Sequence, residues 1–479
     1  MSNHQQSQKN QVIKQVIKEG DINMKKNTII QIIIIVFLAI ILGILVVYTI
    51  NSTSQGNTQK KLNEGMSEQN GKMPTTMGES SSSIEYSGTT EITEDTKIES
   101  GEYSSEKSDQ NGILVNGDID AELSNIKVTK TGDSDSGDNT SFYGINSAIL
   151  AKSKANLNLK NITVTTDAKG ANGVFCYGGS ATTSNTSSDG TTITISDSNI
   201  TTYKDNSGGI MTTGGGILNA SNLTVNTYGT SSAAIRTDRG GGEVNVDGGT
   251  YTTTGQGSPT IYSTANVKVE NAKLIATASE GIVVEGENSV TINNCELTDS
   301  NTKLNGQSTT YKNIFLYQSM SGDADVGNSE FTANNSTITT NNGDSFYVTN
   351  TVSTINLSNN TIINNDNTGN FLRIQKDSWG KTGSNGGTVT LVMSNQKVTG
   401  NIVVDSISTL DMNMKEDSYY EGTINSDNSA KKITLKLDNT SKLKLTGDSY
   451  ITELEDSDTA YSNIDFNGYK LYVNGVAIN

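Results

Sequence analysis

The only three arginines in the chain, Arg236, Arg239 and Arg373, fall on or just beyond short apolar runs that read as β-strands. The runs include Val174-Phe175-Cys176, Ala234-Ile235, Thr260-Ile261-Tyr262, Ile282-Val283-Val284, Ile314-Phe315-Leu316 and Phe346-Tyr347-Val348. If Ile235, Ile261, Val284, Leu316 and Ile374 point into a core, strand alternation turns their neighbours outward. One face then carries Phe175, Tyr177, Arg236, Tyr262, Val283, Glu285, Phe315, Tyr317, Tyr347 and Arg373. Aromatic rings stack on sugar rings, and a guanidinium pairs with a carboxylate through two parallel hydrogen bonds. A long face of this composition suits an extended polysaccharide, with acidic chains favoured by the arginines. The plainer alternative is a mixed strand surface, with tyrosines serving strand propensity and arginine paired with Asp238 or Glu285.

Other chemistry is sparse. Asp133, Asp135 and Asp138 form a tight acidic run that could share a calcium ion, although a solvated loop tip needs the same residue types. Glu453, Glu455, Asp456 and Asp458 form a second such run. The single histidine is His4, so nothing downstream can build a histidine base, triad or zinc site. A polysaccharide lyase, which needs Arg or Lys as proton abstractor and acidic calcium ligands, stays open. Cofactors are not required, and calcium is the one ion the acidic runs could hold. The glycines at 214–216 and 240–242 read as turns, since neither set follows a strand and opens a helix.

A repeated phrase must position these residues. An apolar residue, one variable residue and then Asn, Asp or Gly recur at Asn125, Asn161, Asp197, Gly248, Asn271, Asn294, Asn328, Asn359 and Asn395, with Ala220 as the one exception. Asn, Asp and Gly tolerate the left-handed backbone that strains other residues. The markers recur at intervals of 23 to 36 residues. That spacing predicts one fixed turn per coil, with surface insertions in the longer coils. Three short β-branched or aromatic runs accompany each marker, one before it, one after it and one later. Three strands per coil, stacked in register, predict an all-β parallel β-helix whose markers form one column facing inward or into the turn. Immunoglobulin-like or jelly-roll arrays would also supply short strands, but give no reason for one turn position to recur. Cys176 and Cys295 read as small buried hydrophobes.

The marker column resembles the asparagine ladder of the pectin-lyase-like, right-handed β-helix superfamily. The phrases Ile235-Arg236-Thr237-Asp238-Arg239-Gly240-Gly241-Gly242 and Gly257-Ser258-Pro259-Thr260-Ile261-Tyr262-Ser263-Thr264 resemble surface adhesin-like proteins of Gram-positive anaerobes. The resemblance runs from Gly88 to Asn479 and implies a right-handed solenoid. It says little of activity, because that fold carries lyases, hydrolases, tail spikes and binders alike.

Ile29 to Ile50 is an apolar run of about 20 residues, the length of a membrane-spanning helix. Lys9, Lys14, Lys18, Lys25 and Lys26 precede it, which keeps the N-terminus cytoplasmic and places the rest outside. A cleaved signal peptide is the rival. The expected order is a tail (1–28, with Met24 as an alternative start), a signal-anchor helix (29–50), a polar flexible stalk (51–87), β-helix coils (88–387) and C-terminal coils with a cap (388–479). A formal net charge of −17 argues against nucleic acid as a partner. These features together lead to a membrane-tethered surface protein that binds extracellular polysaccharide or another cell-surface component without catalysis. The alternatives are a calcium-assisted lyase on acidic polysaccharide and a structural surface protein with no ligand.

Overall fold

The computed structural model describes residues 84–181, 187–306 and 308–479. The expected tail, membrane anchor and nearly all of the stalk lie outside the described residues. Among the described residues no helix is long and apolar enough to cross a membrane.

The architecture is all-β and built from long parallel sheets, as a parallel β-helix requires. One sheet of 12 strands takes the third run of each coil, from Gly88–Ile92 through Ile210–Thr213, Ile235–Thr237, Ile261–Ser263 and Ile282–Glu285 to Ile402–Val404. A sheet of 22 strands takes the first and second runs, for example Asn156–Lys160 with Thr163–Thr166. Each strand pairs with its equivalent in the next coil, as Val174 does with Ile210 and Ile210 with Ile235. Parallel partners must be joined by a crossover, and here the rest of the coil is that crossover.

Alternation decides what is inside. Leu157, Leu159, Ile193, Ile195, Val267, Val269, Val290 and Ile292 enter one continuous core with Val174, Ile210, Ile235, Ile261, Ile282 and Ile314. Cys176 and Cys295 are in that core as free thiols. Burial pushes the Cys176 thiol up to about 12, so it stays a neutral small hydrophobe.

The turn column exists, with two corrections. Asn125, Asn161, Asp197, Asn271, Asn294, Asn359 and Asn395 all have φ between 48° and 55°. Gly248 takes φ 73° in the same column. In the other two coils the left-handed residues are Asn222 and Asn335, not Ala220 and Asn328. Asn328 instead opens the strand Asn328–Asn334, because the insertion ahead of it shifts the coil. The column also faces solvent, not the interior. Its side chains bond outside the rod: the Asn161 amide donates to Asn125 Oδ1 (2.7 Å), Asn222 to Asp197 (2.8 Å) and Asn359 to Asn335 (2.7 Å). The residue after each marker turns inward. There Ser336 Oγ accepts from the Cys295 N–H (3.0 Å), Asn360 Oδ1 from Ser336 (2.9 Å) and Gln396 Oε1 from Asn360 (2.8 Å). This buried ladder satisfies turn N–H groups that no strand partner reaches.

The C-terminal end closes with an antiparallel pair, Leu471–Val473 against Val476–Ala477, the only antiparallel pairing among the described residues. Asn474 and Gly475, at φ 48° and 78°, make the tight turn such a hairpin needs.

Candidate functional site

The outer face of the 12-stranded sheet carries the expected residues in the expected register. Met211, Arg236, Tyr262, Val283, Phe315, Tyr347 and Arg373 stand side by side on successive strands. Glu285 pairs with Tyr317 in the neighbouring row. Arg236 and Tyr262 are direct partners on adjacent coils.

This face is not the open strip that alternation alone predicts. Insertions fold over it and bury it a second time, outside the core. Phe175 and Tyr347 are wholly buried, and Phe315 and Glu285 nearly so. Near the N-terminal end, Leu114, Leu150, Phe175, Tyr177 and Met211 pack under Tyr86 and Tyr143. The Tyr143 ring meets Tyr177 edge-on at 5.8 Å. The cover there includes the short helix Asn139–Tyr143, tied down where Thr213 Oγ1 donates to the Phe142 carbonyl (2.8 Å). Further along, Val283, Phe315 and Tyr347 pack under Trp379, whose ring lies 5.4 Å from Phe315 and 5.3 Å from Tyr317.

Between these two covered patches the face stays open as a cleft of about 520 Å³. Tyr262, Tyr317, Phe315, Phe142 and Trp379 supply aromatic walls. Asp138, Asp238, Glu280 and Asp323 meet Lys169, Arg236 and Arg239 in the same lining, so four carboxylates face three cations. Neither arginine is idle. Arg236 donates to Asp238 Oδ2 (3.0 Å) and to the Ser231 carbonyl (3.1 Å). Arg239 donates to Asp323 Oδ1 (2.8 Å) and lies over the Phe142 ring at 4.1 Å. Asp238 is buried, and desolvation raises its carboxyl to about 6 despite the opposing pull of Arg236.

A set of buried polar contacts supports the aromatic wall. Glu285 Oε2 accepts from the Tyr262 hydroxyl (2.5 Å) and the Tyr317 hydroxyl (2.9 Å), while Ser319 Oγ donates to its other oxygen. Burial first, and the Glu285 charge second, push both phenols well above their usual range, so they remain donors at any physiological pH. Lys312 lies under Phe315 and Tyr347, with its ammonium 4.4 Å and 4.8 Å from the two ring centres and its side chain fully buried. It donates to Ser308 Oγ (2.8 Å) and the Thr310 carbonyl (2.9 Å), and Glu280 stands 3.8 Å away. Desolvation lowers its pKa, with Glu280 opposing.

Several residues of the expected face stay out of the cleft. Arg373 is bound by Asp344 (2.5 Å) and does not line the cleft. Tyr347 spends its hydroxyl on Asp377 (2.6 Å). Phe175 and Tyr177 belong to the other covered patch. Asp133 caps the Lys169 N–H (2.8 Å), and only Asp138 of the acidic run reaches the cleft. Among the described residues no group of three or more His, Cys, Asp or Glu side chains converges as a metal site. Alternation did not reveal Lys312, Glu280, Asp323 or Trp379. The one available signal was the unbroken apolar character of strands such as Phe346-Tyr347-Val348, the pattern of strands covered on both faces.

No family model matches the chain, and neither a curated protein nor a solved structure matches it significantly.

Proposed function

We propose that the protein is a membrane-tethered surface β-helix, right-handed like the superfamily its turn column resembles, that binds an extracellular glycan without transforming it. The observation behind this reading is the cleft, where aromatic walls meet carboxylates and guanidinium groups that are already held in place. Sugar rings are bound by such surfaces, with stacking on their C–H faces and planar polar groups on their hydroxyls. The internal pairing changes the expected preference. With Arg236 and Arg239 engaged and carboxylates in excess, neutral or amino sugars fit better than uronic acids.

Calorimetry on the full-length protein in detergent would test this with three hexasaccharides: N-acetylchitohexaose (neutral), chitosan hexaose (cationic) and hexagalacturonate (anionic). Binding of the first or second above the third is expected. Tighter binding of hexagalacturonate would overturn the charge argument, and no binding by any would overturn the glycan reading. For the anchor, protease treatment of intact cells should release a fragment beginning between residues 51 and 87. A mature chain starting near Asn51 in untreated medium would show cleavage instead.

A further inference from the structure

Tyr203 and Tyr228 are 47 % and 48 % exposed, among the most exposed large aromatic side chains of the described rod. They come from successive coils, with the Tyr228 N–H donating to the Thr202 carbonyl (2.9 Å). Their rings stack at 5.2 Å between centres and 13° between planes. Strand propensity does not explain them, since each follows a strand end, Asn199–Thr202 or Gly216–Thr227. Stacking covers one face of each ring, and about half of each side chain stays exposed.

The pair borders a hollow of about 320 Å³ with Lys169, Lys204 and Lys303 and the carboxylates Asp133 and Asp205. Lys204 pairs with Asp167 (3.3 Å), and the Gln256 amide on its rim donates to the Leu304 carbonyl (2.6 Å). Lys169 also lines the cleft. Gln256 and Asp205 border the hollow, while the next residues, Gly257 and Asn206, border the cleft. The two depressions therefore adjoin around the corner of one set of coils. Exposed aromatics beside ammonium and carboxylate groups, joined to a cleft of aromatic, cationic and carboxylate lining, make one track with one chemistry.

We propose that Tyr203 and Tyr228 form a second sugar-stacking subsite, reached by a glycan chain that leaves the cleft across Lys169. This rests on the glycan reading of the cleft and adds to it that the ligand is an oligosaccharide longer than the cleft itself holds. The occupant is a carbohydrate chain, because nothing in the hollow offers the contiguous apolar area a protein partner needs.

The test is calorimetry on the full-length protein with N-acetylchito-oligosaccharides of two to six units. For the wild type, affinity should rise as the chain lengthens past the cleft. The double variant Tyr203→Ser with Tyr228→Ser should bind the hexamer about tenfold more weakly and the dimer unchanged, as loss of ring stacking predicts. An unchanged hexamer affinity would overturn the subsite. A change in the sedimentation of the unliganded variant would assign the pair to self-association and overturn it too. Trp379→Ala separates the two ideas, because the cleft reading requires it to weaken the dimer and hexamer alike. If the N-acetylated series does not bind the wild type, the same length series is run with chitosan oligomers, and if neither series binds, the cleft reading fails and takes this subsite with it.

Discussion

Arg239 and Asp323 are 84 residues apart in the chain and meet at 2.8 Å in the wall of the cleft. The contact ties the turn after one strand of the sheet to the insertion that follows a strand three coils further on. It is about a quarter to a third exposed, so solvent screens it and its net worth is about 0.5–1 kcal/mol. Its larger effect should be on order. Asp323→Ala should speed amide exchange across residues 319–325 while shifting the melting temperature little. Unchanged exchange would show that the insertion is held by its own hydrogen bonds.

Lys312 offers a sharper energetic test. Truncation to Ala would leave a cavity under Phe315 and Tyr347 and leave Glu280 without its cation. A loss of about 2–5 kcal/mol is expected by denaturant titration. Lys312→Met fills the space without burying a charge, and should recover at least half of that loss. If Met is as damaging as Ala, the ammonium contributes more than its packing.

The turn column separates two neighbouring asparagines. Asn335 holds φ 50° and accepts from Asn359, whereas Asn328 begins a strand. Asn335→Val should cost about 1–3 kcal/mol through strain and a lost hydrogen bond. Asn271→Val should behave the same way, because Asn271 sits at φ 54° and donates to Asp247 (2.7 Å). Asn328→Val should change stability by less than about 0.5 kcal/mol. Equal losses at Asn335 and Asn328 would contradict the assigned register.

Asp238 predicts a pH dependence with a definite sign. Its carboxyl titrates at about 6 in the fold against 3.8 as the ordinary value. The folded state thus binds the proton more tightly. The corresponding stability is fully present below pH 3.8 and is lost as pH rises through about 6. The span corresponds to about 3 kcal/mol. Asp238→Asn should remove this term, so wild type and variant should diverge between pH 4 and 6.5 in denaturation midpoints. Parallel curves would assign the proton elsewhere.

The sequence by itself determined the solenoid. Turn residues that tolerate positive φ recur because each coil must reverse direction at the same place, and period-two alternation set which strand residues enter the core. Both are local rules, so Ile235, Ile261 and Val284 were legible as core and Arg236 and Tyr262 as outward neighbours. Asn328 was misread where an insertion broke the interval between coils, which is the one thing a spacing argument depends on. Tertiary structure alone decided what the outward neighbours do. Trp379 covers Phe315, the helix Asn139–Tyr143 covers the patch around Phe175 and Tyr177, and Asp323 occupies Arg239. Those partners come from insertions with no periodicity, dozens of residues away along the chain. Packing energy over such distances depends on where a loop lands, and alternation within a strand carries no record of that.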